Sequence, residues 1–117
     1  MSQFRMPLRI VLYQENGDWI AHCLELDLVG DGSTREKACA SLSASINAQL
    51  DFYIRHRESA QLFRPAPAEF FKMFAAGKDI AIAELKLATI RDVVVESITS
   101  RERSESGETL AVDLASA

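Results

Sequence analysis

The chain is short of the residues that announce chemistry. Its two cysteines, Cys23 and Cys39, have neither metal-ligand spacing nor the density of a secreted disulfide scaffold. Both read as reduced thiols in or near the core. No apolar run approaches the roughly 18 residues that suggest a membrane span, and the opening Met1 to Pro7 lacks the apolar stretch of an export signal. A cytoplasmic location away from membranes is the expectation. Basic runs are missing too: residues 1–57 carry six Lys/Arg against seven Asp/Glu, and residues 58–117 carry seven against ten, giving a net charge of −4. Nucleic-acid binders draw most of their affinity from neutralising phosphates and releasing counterions. Direct DNA or RNA binding is therefore disfavoured, and a basic protein partner is electrostatically easier. No repeat, phosphate loop, zinc pattern or dinucleotide fingerprint occurs, so neither cofactor nor metal is expected.

What is present reads as one α+β domain of 117 residues, large enough for a core without staples. Leu8, Ile10 and Leu12 alternate with Arg9, Val11 and Tyr13, the period of a strand. Asn16-Gly17 tolerates positive φ at both central positions and predicts a hairpin. A second strand follows from Asp18, with Trp19, Ala21 and Cys23 alternating against Ile20, His22 and Leu24. Leu26 and Leu28 extend it or form a third strand, and Gly30-Asp31-Gly32 reads as the tight turn that ends the extended segment. Ser33 with Glu36 forms a capping-box pattern, although Thr34 is an equally good cap. Ala38, Leu42, Ile46, Leu50, Tyr53 and Ile54 then recur at helical steps, for a helix ending near Arg57. Arg64-Pro65-Ala66-Pro67 is an extended connector. A short helix runs from Pro67 to Gly77, apolar through Phe70, Phe71, Met73 and Phe74. Strands are expected near Ile80–Leu87, with helix as the alternative for Ala81–Leu87, and near Val93–Thr99, followed by a mobile polar stretch over Ser100–Glu108 and a last alternating segment at Thr109–Leu114. The whole is an antiparallel meander packed on one long helix, with a core at 8–57, an extension at 58–100 and a tail at 101–117.

The succession of strand, Asn-Gly turn, strand, acidic Gly turn and long amphipathic helix resembles the HicB-type antitoxin-like family. The resemblance is carried by Gly17 to Leu28, by Gly32-Ser33-Thr34-Arg35-Glu36-Lys37-Ala38, and by Leu42 and Ile46. It covers about residues 8–57. Family members usually show Gly-Asp-Thr before the helix and two acids before its alanine, where this chain has Ser33 and Lys37. Many have a Pro-x-x-Pro-Gly turn where this chain has Leu24 to Leu28, and a subgroup is closer to its Cys-Leu-Glu-Leu-Asp. The resemblance implies a partial RNase H-like core and a non-enzymatic protein that binds and blocks a small ribonuclease toxin of the HicA type. Family members often repress their own operon through a C-terminal DNA-binding module. After residue 57 neither helix-turn-helix nor ribbon-helix-helix spacing is found, so autorepression is not expected.

Candidate residues divide by chemistry. Asp18, Glu25, Asp27 and Asp31 would face a basic partner, with Trp19 as an apolar anchor at that contact or, the favoured reading, in the core. Phe70, Phe71 and Phe74 are core residues first and a self-association surface second. His22 lacks a nucleophile and an orienting group at readable spacing and reads as an ordinary strand histidine. Glu25 and Asp27 would share a face of an extended strand, as a solvated acidic edge or, on the alternative of a cryptic metal-dependent nuclease, as ligands. The module is expected to self-associate as a homo-oligomer in either case, and a solitary HicB-like structural homo-oligomer or regulator without a toxin is the remaining alternative.

Overall fold

In the computed structural model, which describes residues 4–56, 63–81 and 93–104, the first alternating segment becomes the central strand of a sheet. β1 (Phe4–Glu15) is flanked by β2 (Asp18–Cys23) on one side and β5 (Val93–Glu102) on the other. β3 (Leu28–Gly32) lies outside β2 and β4 (Lys78–Asp79) outside β5, for the order β3-β2-β1-β5-β4. The hairpin forms at Asn16-Gly17, with φ of 53° and 86°, and pairs Glu15 with Asp18.

β1 is apolar on both faces because both are covered. Met6, Leu8, Ile10 and Leu12 meet Ala38, Cys39, Leu42, Ile46 and Leu50 of α1 (Arg35–Arg55), together with Ala21 and Cys23 of β2. Val11 and Tyr13 point the other way. With Leu24 and Ile20 they seat Ala66 and the aromatic side of α2 (Ala68–Ala75). The proline-bearing connector is extended, and it is pinned: Arg64 N–H donates to the Glu25 carbonyl (3.0 Å) and Ala66 N–H to the Leu24 carbonyl (2.7 Å). Pro65 and Pro67, which have no N–H, fall at the alternate positions.

Two expectations change, the turn at Gly30–Gly32 and the mobile stretch from Ser100, and two are narrowed, the cap and the end of the long helix. The Gly30-Asp31-Gly32 segment is not a turn but lies within β3; the chain reverses earlier, at Leu24–Asp27, where Asp27 takes φ 51°. The helix is capped by Thr34, whose Oγ1 accepts the Lys37 N–H at 3.1 Å, so Ser33 and Glu36 are out of capping-box register. α1 stops at Arg55, with His56 as its C-cap. Ser100–Glu102 is strand rather than a mobile stretch, because these residues complete the pairs to Ile10, Val11 and Leu12. That pairing is parallel, so the sheet is mixed, and the jump from Met6–Val95 to Pro7–Ser97 leaves Glu96 as a bulge. Ile80 follows β4 and packs against the α1-side core. β4 begins two residues earlier than the strand expected there and excludes Ile80 and Ala81; residues 82–87 of the expected strand, and residues 109–114, lie outside the described residues.

Candidate protein-binding face

Strand parity sorts the expected site residues. In β2, Ala21 and Cys23 are buried under α1, so Trp19 shares their face and Asp18, Ile20 and His22 lie on the opposite one. The register continues this into β3: Ile20 pairs with Asp31 and His22 with Val29, while Ala21 pairs with Gly30 and Trp19 with Gly32. Asp18 and Asp31 are therefore diagonal neighbours on one face, and both are exposed. Val29 stands beside Asp31 on the same strand face and is 52% exposed.

The turn after β2 adds one acid to this face and withdraws another. His22, buried to 3%, meets Asp27 through Nε2 and Oδ1 at 2.8 Å and packs edge-on against Phe70 at 4.4 Å between centroids. Asp27 keeps about a third of its side chain in solvent, at 36%. His22 Nδ1 is buried without a partner. Glu25 is not the solvated edge expected of it, and it shares no strand face with Asp27. The turn carries its side chain inward to 2% exposure, where Oε1 accepts the Arg9 N–H and Oε2 the Arg9 Nε–H, each at 2.6 Å. A buried carboxylate needs such partners. This pairing also removes Glu25 from any surface a partner can touch.

Trp19 lies on the opposite face from the aspartates. It packs against the α1-side core, and the Arg35 guanidinium sits 4.3 Å above its ring while Arg35 Nε donates to Glu102 Oε1 at 2.5 Å. That hydrogen bond raises the Arg35 pKa above its ordinary value. The aromatic residues of α2 are spent internally as well. Phe74 is buried, Phe70 stacks near Tyr13 at 6.1 Å, and Phe71 and Phe74 lie under Arg9 and Arg101 at 4.7 and 4.8 Å. Cys23 is buried, and burial pushes its thiol up to about 12, a neutral core group. Among the described residues no cluster of three or more His, Cys, Asp or Glu could hold a metal ion, and no helix is long and apolar enough to cross a membrane.

The arrangement thus collects Asp18 of β2, Asp27 of the turn and Asp31 of β3 around exposed Val29 and half-buried Ile20, on one face of the two outermost strands at this end of the sheet. The acids were legible in the sequence. Val29 was missed there, although Val29-x-Asp31 has the strand period that puts both on one side; Asp27 joins them from the turn through its contact with His22. Neither a family model, a curated protein nor a solved structure matches the chain.

Proposed function

We propose that this chain is a non-enzymatic protein-binding module of the HicB-like antitoxin kind, which binds and blocks a small basic ribonuclease toxin in the cytoplasm. The observation that carries the reading is the acidic face with Val29 at its middle. A ribonuclease holds RNA through cationic side chains on its surface; aspartates fixed on a sheet can occupy those side chains, and an apolar contact between them supplies the desolvated centre that interfaces need. The succession of hairpin, third strand and long helix, which the family resemblance implies, supports the same reading. So does the engagement of the two carboxylates that a nuclease would require: Glu25 is held by Arg9 and Asp27 by His22.

Co-expression of the tagged chain with the product of a small basic open reading frame adjacent to its gene tests this. The expected result is a complex that weakens as salt is raised, relief of the toxin's growth arrest, and binding at least tenfold weaker for Asp18→Lys with Asp31→Lys. Absence of both complex and relief removes the reading.

A further inference from the structure

The backbone of β3 says how a partner would be held. Leu24 N–H donates to the Arg9 carbonyl at 2.9 Å, one step beyond the Ile10–Cys23 pair. Bonded and non-bonded positions alternate along an antiparallel ladder, so Asp18, Ile20, His22 and Leu24 aim their backbone groups at β1. Trp19, Ala21 and Cys23 then aim theirs at β3, where they meet Gly32, Gly30 and Leu28. The amides and carbonyls of Val29 and Asp31 are left pointing out of the sheet, and among the described residues no strand lies beyond β3. These are the same two residues whose side chains stand on the acidic face.

We infer that β3 is a docking edge that accepts an extended strand of a partner protein, and that this strand carries an apolar residue flanked two positions away on each side by Lys or Arg. The inference rests on the binding reading above and adds the mode of contact. An added strand satisfies the outward donors and acceptors of Val29 and Asp31; its alternate side chains face Val29 and Asp31, and the next one along comes to the turn where Asp27 stands on the same face beside His22. A second copy of this chain fits the edge badly. Antiparallel pairing centred on Val29, the register that would cover both valines, sets Asp27 of each copy against Asp31 of the other.

The probe is a synthetic peptide with the core Lys-Thr-Val-Thr-Lys, compared with one carrying Glu for Lys. With the full chain, the first slows hydrogen exchange at the Val29 and Asp31 amides, and the second binds at least tenfold more weakly. Val29→Pro deletes an outward N–H while sparing the bonds from β2 to Leu28, Gly30 and Gly32, and abolishes peptide binding at unchanged circular dichroism. Should that variant fail to fold, Asp31→Lys serves instead, and lowers the preference for the Lys peptide about tenfold. Unchanged exchange at Val29 and Asp31 with millimolar Lys peptide overturns the inference, as does equal binding by a folded Val29→Pro chain or an undiminished preference in Asp31→Lys. A toxin complex that tolerates a folded Val29→Pro overturns the edge and leaves the antitoxin reading standing. Peptide protection without any complex from the adjacent gene does the reverse.

Discussion

Arg9 meets Glu25 twice, through its amide and through its guanidinium, and the two partners are unequal. Glu25 is almost wholly buried whereas 43% of the Arg9 side chain is exposed. Removing the arginine strands a charge in the interior, whereas neutralising the acid leaves an acceptor for the amide. We expect Arg9→Leu to cost about 2–3 kcal/mol in urea unfolding and Glu25→Gln distinctly less; equal losses would show that the pair is not buried as described. Cys23 gives a pH signature. Its thiol ionises from an ordinary value of 9.0 when unfolded but near 12 when folded, so above pH 9 the unfolded chain releases the proton first and stability falls as pH rises toward 12. Tyr13, also raised from its ordinary 10.0 by burial, acts in the same direction. The urea midpoint is expected to drop between pH 8.5 and 10.5, less steeply in Cys23→Ala, and Cys23 in the folded chain should resist iodoacetamide at pH 8. The sequence showed that Cys23 belongs to a core but not that Glu25 does, because its ion partner is brought opposite by the hairpin rather than by neighbouring positions.

Elements pack here through what some residues omit. A Cβ on Gly30 would stand 2.1 Å from the Leu42 nitrogen and 2.5 Å from the Ala38 carbonyl oxygen, both backbone atoms of α1 that cannot turn aside. Gly30→Ala is therefore expected to lift the helix from β3 and cost on the order of 3 kcal/mol. Gly17→Ala meets nothing within 4 Å and pays only for its φ of 86°, about 1 kcal/mol. The comparison by thermal unfolding separates close approach from turn conformation. Gly17 is the turn residue its sequence implies, whereas Gly30 and Gly32 resemble a turn because a glycine beside an acid has the same local pattern whether the chain turns or a helix comes close. α2 shows the complementary case. Its C-terminal carbonyls, Phe74 and Ala75, accept from Arg101 Nη1 at 3.2 and 3.3 Å, while Arg101 Nε reaches Asp79 at 3.0 Å. We expect Arg101→Ala to speed amide exchange throughout α2 while leaving β2 and β3 protected; unaltered α2 exchange would mean that the aromatic packing of Phe70, Phe71 and Phe74 holds it without the arginine. The helix itself was plain from its proline, glycine and apolar face, but the strand arginine that caps it was not, since β5 is distant in sequence.

For the molecule as a whole, hydrophobic period specified β1, β2 and most of β5 and said nothing of their neighbours, whereas β4 at Lys78–Asp79 has no apolar residue to mark it and half of β3 has the composition of a turn. The hairpin and the helix over β2 and β3 follow from local signals, whereas the parallel union of β5 with β1 does not, and an antiparallel meander alone would have left β1 at an edge. The segment that carries the family resemblance is consequently not self-sufficient. A fragment ending at residue 60 loses β5, Ala66 and α2, and with them the cover of Val11, Tyr13 and Leu24. It is expected to aggregate or to lack a cooperative transition by circular dichroism, while the full chain unfolds in one step.

The parallel pairing of Leu8 with Ile98 also sets a timetable for the chain as it leaves the ribosome. The strand made first must wait, one flank unclaimed, until nearly the last described residues have been translated, and such late long-range closure slows folding. Until then the open flank of β1 is a strand edge on which another nascent copy can pair.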